Sequence, residues 1–208
     1  MSISCFLSNN VIISVMGPRN TGKSTLVEAL RLNTGIKVRK FPFKDYVTKI
    51  LDRKSAETGG FSLGKDLQLY SLISDGLIKT PLILDRGDFF TSSVYGLLDQ
   101  RISRKVAIEH IEYMTEKFFL RGDPIPVYFI YCEIDECVPG NEIPERMRKD
   151  SWDDMKNWKE ESDLYKEMVE IFENKVQDRI IRYKNNFEFD ALLNIVETLK
   201  MILPKNEY

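Results

Sequence analysis

The stretch Gly17-Pro18-Arg19-Asn20-Thr21-Gly22-Lys23-Ser24 fits the spacing G-x-x-x-x-G-K-[ST] in full, with Thr25 next in the chain. Its two glycines let the backbone wrap an anion so that successive N–H groups and a following helix N-terminus point inward. Lys23 then reaches the β and γ phosphates of a nucleotide, and the Ser24 hydroxyl is placed to ligate Mg²⁺. ATP and Mg²⁺ are therefore the expected ligands, with residues 17–25 as their cradle. Arg19 and Asn20 are not needed for the backbone path, and Arg19 adds positive charge inside the loop. Three readings are open for Arg19: a surface side chain with no role, an added charge on the transferred phosphate, or a grip on an acceptor phosphate. A second constellation lies in LILDRGDFFTSS, where an apolar run ends in Asp85-Arg86. An acid there can hold the Mg²⁺ shell or take a proton from an attacking group, and an adjacent arginine can clamp an acceptor phosphate. Thr91, Ser92 and Ser93 follow as polar groups suited to a second substrate.

Elements that would position these residues are visible as apolar runs and helical spacings. Strands are expected at 11–15, 36–41, 81–84 and 126–134, with a weaker one at 179–183. Helices are expected at about 24–33, 65–78, 104–120, 162–175 and 190–203. Such alternation implies right-handed βαβ units, an α/β fold and a mostly parallel sheet covered on both faces. Ligands of such sheets bind at the carboxyl ends of the strands, where both constellations fall. The charged, turn-rich segment 136–162 reads as a loop returning into a helix, either solvated decoration or a lid over the site.

A chain of 208 residues, 43% of them hydrophobic, supports one core, so residues 1–208 are expected to form a single domain. Thirty basic and 32 acidic side chains leave a net charge of −2, which gives no electrostatic case for long nucleic acid. Cys5, Cys132 and Cys137 make an odd count without a secretory leader pattern, so a reduced, cytoplasmic setting is expected, with inert thiols. No run reaches the roughly 20 apolar residues of a membrane span. His110 is the sole histidine, which argues against a Ser-His-Asp hydrolase or a multi-histidine metal site.

With those residues in place the chain resembles the thymidylate kinase branch of the nucleoside and nucleotide kinases over nearly its whole length. RKFPF is similar to that family's Phe-Pro segment, which makes Phe41 part of the acceptor wall and Lys44 the residue on the acceptor monophosphate. LQLYSLISD is similar to the helix whose aromatic stacks on the substrate base, which gives that role to Tyr70; a core aromatic is the competing reading. ERMRKDSWDDM, with Arg146 and Arg148, resembles the arginine lid, Arg148 being favoured and Lys149 or Lys156 able to replace it. Asn185, Asn186 and Phe187 stand where relatives rest the adenine of ATP. The resemblance implies a three-layer P-loop kinase fold with a five-stranded parallel sheet. It also implies Mg²⁺-dependent transfer of the ATP γ-phosphoryl group to a nucleoside monophosphate, with Lys23, Asp85, Arg86 and a lid arginine at the chemistry. Relatives are often dimers, which leaves a homodimer open.

Three departures touch acceptor recognition. Arg19 stands where the family carries a sugar-reading Asp, Ser74 stands near the place of its base-reading Arg, and the segment after Asp85-Arg86 is one residue longer. Altered or broad base specificity follows. A deoxynucleoside kinase, a 5′-polynucleotide kinase and a non-catalytic nucleotide-binding module are the alternatives.

Overall fold

The computed structural model describes residues 11–19, 21–40, 59–134, 155–186 and 188–202. Five strands, β1 (Ile12–Met16), β2 (Lys37–Lys40), β3 (Leu82–Asp85), β4 (Val127–Ile134) and β5 (Ile180–Asn185), form one sheet in the order β2-β3-β1-β4-β5. All neighbouring strands run parallel. β1 is buried at every position of IISVM, as a strand covered on both faces by helices must be. Its alternate residues feed two cores. Ile12 and Met16 join Leu82, Leu84, Phe129 and Tyr131 on one face, while Ile13 and Val15 join Ile83, Ile130 and Cys132 on the other.

The helices are α1 (Lys23–Thr34), α2 (Gly59–Ser74), α3 (Phe89–Leu98), α4 (Arg104–Thr115), α5 (Met155–Glu173) and α6 (Phe189–Ile202). Leu26, Val27 and Leu30 of α1 pack with Ile195, Val196 and Leu199 of α6 on the second face. The other face carries an aromatic core from α2, α3, α5 and β4, with ring centroids 4.4 Å apart for Phe89 and Phe90 and 5.5 Å for Phe129 and Phe172. Such edge-to-face and offset pairs add to the burial of their area.

All five expected strands form, within one or two residues of the expected ends. The expected helix at 104–120 stops at Thr115 and continues as a π-helical turn, Glu116–Leu120. α3 was not expected. Its N-cap is Asp88, whose carboxylate accepts from the Thr91 N–H at 2.7 Å and the Thr91 hydroxyl at 2.9 Å. α5 begins at Met155, so the return into helix starts within the 136–162 segment, and 136–154 of the lid expectation lies outside the described residues.

Candidate active site

The phosphate loop joins β1 to α1 at the carboxyl edge of the sheet. Gly17 has φ 132°, and a Cβ there would meet the Cys132 carbonyl oxygen at 2.2 Å, so the loop lies directly on β4 and only glycine fits. Gly22 has φ 84°, and a Cβ there would come 2.5 Å from the Asn185 side-chain nitrogen. That amide donates to the Thr21 carbonyl at 3.2 Å, so the end of β5 braces the loop. The Thr21 hydroxyl in turn donates to the Pro18 carbonyl at 2.9 Å. Gly22 caps α1 without a side-chain hydrogen bond, and the first turn carries no acid. The N–H groups of that turn thus face an anion's place with no competing carboxylate.

Lys23 is buried, and its ammonium donates to the Gly17 carbonyl at 2.8 Å and to the Pro18 carbonyl. Burial, opposed in part by nearby carboxylates, lowers its pKa to about 8. Ser24 and Thr25 are exposed in the first turn of α1. Asp85 ends β3 in register with Val15 of β1, and its Oδ1 is buried with no hydrogen-bond partner among the described residues. Arg86 is exposed, stands in the left-handed region at φ 64°, and donates its N–H to the Val15 carbonyl at 3.4 Å. Such a conformation costs a side-chain-bearing residue roughly 1–2 kcal/mol, and strain of this kind gathers at functional sites. Arg86 is close enough for its charge to act on Lys23. Hard oxygen donors at Ser24 and Asp85 beside a lysine and an acid-free helix start suit Mg²⁺ carried by a polyphosphate. Asp85 Oδ1, buried and unsatisfied, is the observation that makes the fit specific.

Arg19 is bound by a partner far away in the chain. Its backbone N–H donates to Glu161 Oε1 at 2.8 Å and its Nε to Glu161 Oε2 at 2.7 Å. Glu161 lies on α5, and the Tyr95 hydroxyl of α3 donates to it at 2.9 Å. The guanidinium carbon sits 5.9 Å from the Tyr95 ring centroid, within cation–π range.

The structure therefore brings Gly17, Pro18, Arg19, Thr21, Gly22, Lys23, Ser24, Thr25, Asp85 and Arg86 to one edge. Asn20, Phe41, Lys44, Arg146, Arg148 and Phe187 lie outside the described residues. Tyr70 does not present its ring at that edge: it is 0% exposed, its ring is 5.3 Å from Phe89, and its hydroxyl donates to the Gly87 carbonyl, next to Arg86, at 3.2 Å. A ring enclosed by Phe89, Phe118 and Phe119 has no face left for a base, so the base-stacking expectation is corrected to the core reading. The polar residues after Arg86 are likewise used inside the fold. Thr91 donates to the Asp88 cap of α3 and shares a 2.7 Å hydrogen bond with Tyr165, Ser92 bonds Asp66, and Ser93 is fully buried. The Asn186 side chain engages Glu188, donating at 2.9 Å and accepting the Glu188 N–H at 3.0 Å. Cys132 is a buried thiol pushed up to about 12 by desolvation, an inert group under the loop.

Glu161 and Tyr95 were missed. Glu161 sits in KEES, which reads as solvent-facing charge, yet it falls four residues before Tyr165 on the stripe that continues to Met168 and Phe172. Extending that apolar stripe back one turn would have marked it as inward-facing.

No family model and no curated protein matches this chain. Solved structures match it in fold. Deoxyadenosine kinase from M. mycoides with bound dATP aligns at TM-score 0.55 and 12% identity, over 92% of this chain and 100% of that one. Thymidylate kinase from Candida albicans aligns at 0.52 and 20%, over 93% and 94%. The NadR protein in complex with NR aligns at 0.55 and 16%, over 96% of this chain and 52% of that one. The five-stranded parallel sheet with helices on both faces is the fold of these P-loop kinases.

Proposed function

We propose that this chain transfers the γ-phosphoryl group of ATP to a nucleoside monophosphate, in the manner of a thymidylate kinase but with a different or broader base preference. The observation that carries the reading is the meeting of three groups at one sheet edge: the Lys23 ammonium, the unpartnered oxygen of Asp85 and the strained Arg86. In the transfer, an acceptor phosphate oxygen attacks the γ phosphorus, the bond to the β,γ-bridging oxygen breaks, and its electron pair leaves with ADP. Lys23 follows the charge that moves toward that bridging oxygen, and Arg86 orients the acceptor phosphate. Ser24 and Asp85 would hold Mg²⁺, which when bound would supply further positive charge to the transferring phosphate. A monophosphate acceptor is already ionised near neutral pH, so alignment matters more than a base.

Arg19, in place of a sugar-reading acid, and Ser74, exposed at the end of α2, support a changed acceptor preference. Among chains of this fold, the C. albicans thymidylate kinase is described as having broad substrate specificity, and the M. mycoides enzyme is described with products dCMP and dCDP bound. The remaining acceptor contacts belong in this reading to Phe41 and Lys44, the lid contacts to Arg148 and Arg146, and an adenine contact to Asn186. A cytoplasmic setting belongs to this reading, which leaves the oligomeric state open.

One observation favours a second reading. The open Asp85 oxygen could take a proton from a sugar hydroxyl, which would suit a nucleoside acceptor. Product analysis by phosphorus NMR separates the two. Incubation with ATP, Mg²⁺ and single nucleoside monophosphates is expected to give an acceptor diphosphate signal in addition to that of ADP, with the acceptor monophosphate signal falling in step. A monophosphate signal from nucleosides alone replaces the first reading with the second. No new product from either class, or from a 5′-hydroxyl oligonucleotide, refutes phosphoryl transfer.

A further inference from the structure

Glu161 is a carboxylate with 0% exposure, and burial of such a charge costs several kcal/mol unless donors surround it. Its donors are not those of its own helix. Two come from Arg19, 142 positions earlier, through the backbone N–H at 2.8 Å and the side-chain Nε at 2.7 Å. The third is the Tyr95 hydroxyl at 2.9 Å. Burial, together with Glu161, pushes the Tyr95 phenol well above its ordinary range, so it stays a donor. The chain thus places one buried acid under the middle of the phosphate loop and commits it to a residue that varies freely in the loop pattern. The same carboxylate acts on Lys23, favouring the charged ammonium against the desolvation that opposes it. A helix of the opposite layer therefore touches both cations of the loop, one by hydrogen bonds and one through space. Arg19 remains 46% exposed at the loop while its Nε is fixed, so its charge is oriented without being withdrawn from the site.

We propose that Glu161 is a positioning residue for nucleotide binding and phosphoryl transfer, acting through Arg19 to set the phosphate loop, with Tyr95 fixing the carboxylate. This rests on the nucleotide kinase reading for its transfer part, while its binding part requires only that the loop holds a nucleotide. A single-point cation on a mobile side chain would lose part of its effect to rotamer entropy; a forked contact to backbone and side chain removes that freedom.

The test measures Mg·ATP affinity by equilibrium titration, and kcat and KM for transfer, in wild type, Glu161→Gln, Arg19→Met and the double variant. Glu161→Gln is expected to weaken Mg·ATP binding about 5- to 10-fold and to lower kcat by more than it raises the acceptor KM. The double variant is expected to lose clearly less than the product of the two single losses, because the Nε bond from Arg19 to Glu161 is removed by either change, while the backbone N–H bond and the through-space effect on Lys23 depend on Glu161 alone. Full additivity, or a Glu161→Gln protein that binds and turns over as wild type, overturns the proposal. Thermal unfolding checks each variant. Should Glu161→Gln fail to fold, Arg19→Lys decides: it keeps charge and backbone N–H but loses the fork, and the same loss of affinity is expected. Wild-type affinity in Arg19→Lys overturns the proposal. A wild type that binds Mg·ATP but transfers to no acceptor refutes the kinase reading, and the non-additive loss of affinity then still decides the role of Glu161.

Discussion

At the scale of residues, the phosphate loop was legible because its chemistry forces its letters. Gly17 lies against the Cys132 carbonyl and Gly22 against the Asn185 amide, so the pattern's two glycines answer to contacts as well as to phosphate. The side chain that sets the loop from beneath was not legible, because nothing local distinguishes Glu161 from its charged neighbours. Lys23 carries a prediction of its own. Burial lowers its pKa to about 8, so the ammonium is present at neutral pH and is lost as pH rises through that value. Mg·ATP affinity should therefore be level up to about pH 7.5 and weaken by up to about tenfold per unit above about pH 8, one pKa unit being worth about 1.4 kcal/mol. Equilibrium titrations between about pH 7 and about pH 9.5 check this; an affinity level across the range contradicts it.

At the scale of elements, the strands were legible because a parallel sheet buried on both faces leaves continuous apolar runs. α3 was not, because FFTSSVYGLL mixes bulky, small and hydroxyl residues that are all buried or half-buried and so shows no polar face. Its Asp88-x-x-Thr91 start is the available signal, whereas Thr91 reads in the sequence as a polar group for a second substrate. Beneath α3, Asp66 of α2 meets His110 of α4 at 3.3 Å and bonds Ser92 of α3, with Asp88 also acting on it. This ties three helices by one buried carboxyl. Desolvation raises Asp66 from 3.8 to about 6 against the pull of His110 and Ser92. The folded state thus keeps a proton that the unfolded state releases, and this group's contribution to stability falls as pH rises from 3.8 to about 6. Asp66→Asn removes that penalty. The difference in Tm between the variant and wild type should move in the variant's favour as pH is raised from about 4 to about 7, as measured by thermal unfolding. A difference that stays constant over that range contradicts this.

At the scale of the whole molecule, strand order β2-β3-β1-β4-β5 gathers the site from distant parts of the chain. β1 supplies the loop, β3 beside it supplies Asp85 and Arg86, and β5 sends Asn185 under the loop from two strands away. The first follows from the G-x-x-x-x-G-K-S spacing after an apolar run and the second from an apolar run ending in Asp85-Arg86, so the sequence carried them. The third, and the Glu161 contact across layers, depend on which elements become neighbours, and periodicity does not encode that. Among the described residues no helix is long and apolar enough to cross a membrane. Tyr70 shows the same limit in reverse: its sequence context matched a substrate-stacking position, while its surroundings enclose it in the aromatic core. The central claim is that Lys23, Asp85 and Arg86 perform phosphoryl transfer to a nucleotide acceptor. Its most direct measurement is ADP release with ATP and Mg²⁺, with and without each nucleoside monophosphate, in wild type and in Lys23→Ala. We expect at least one monophosphate to raise the wild-type rate well above the acceptor-free rate, and Lys23→Ala to lower that rate about 10²- to 10³-fold, as for loss of one transition-state stabiliser. An acceptor-free rate that no monophosphate raises, or a Lys23→Ala protein as active as wild type, would contradict it.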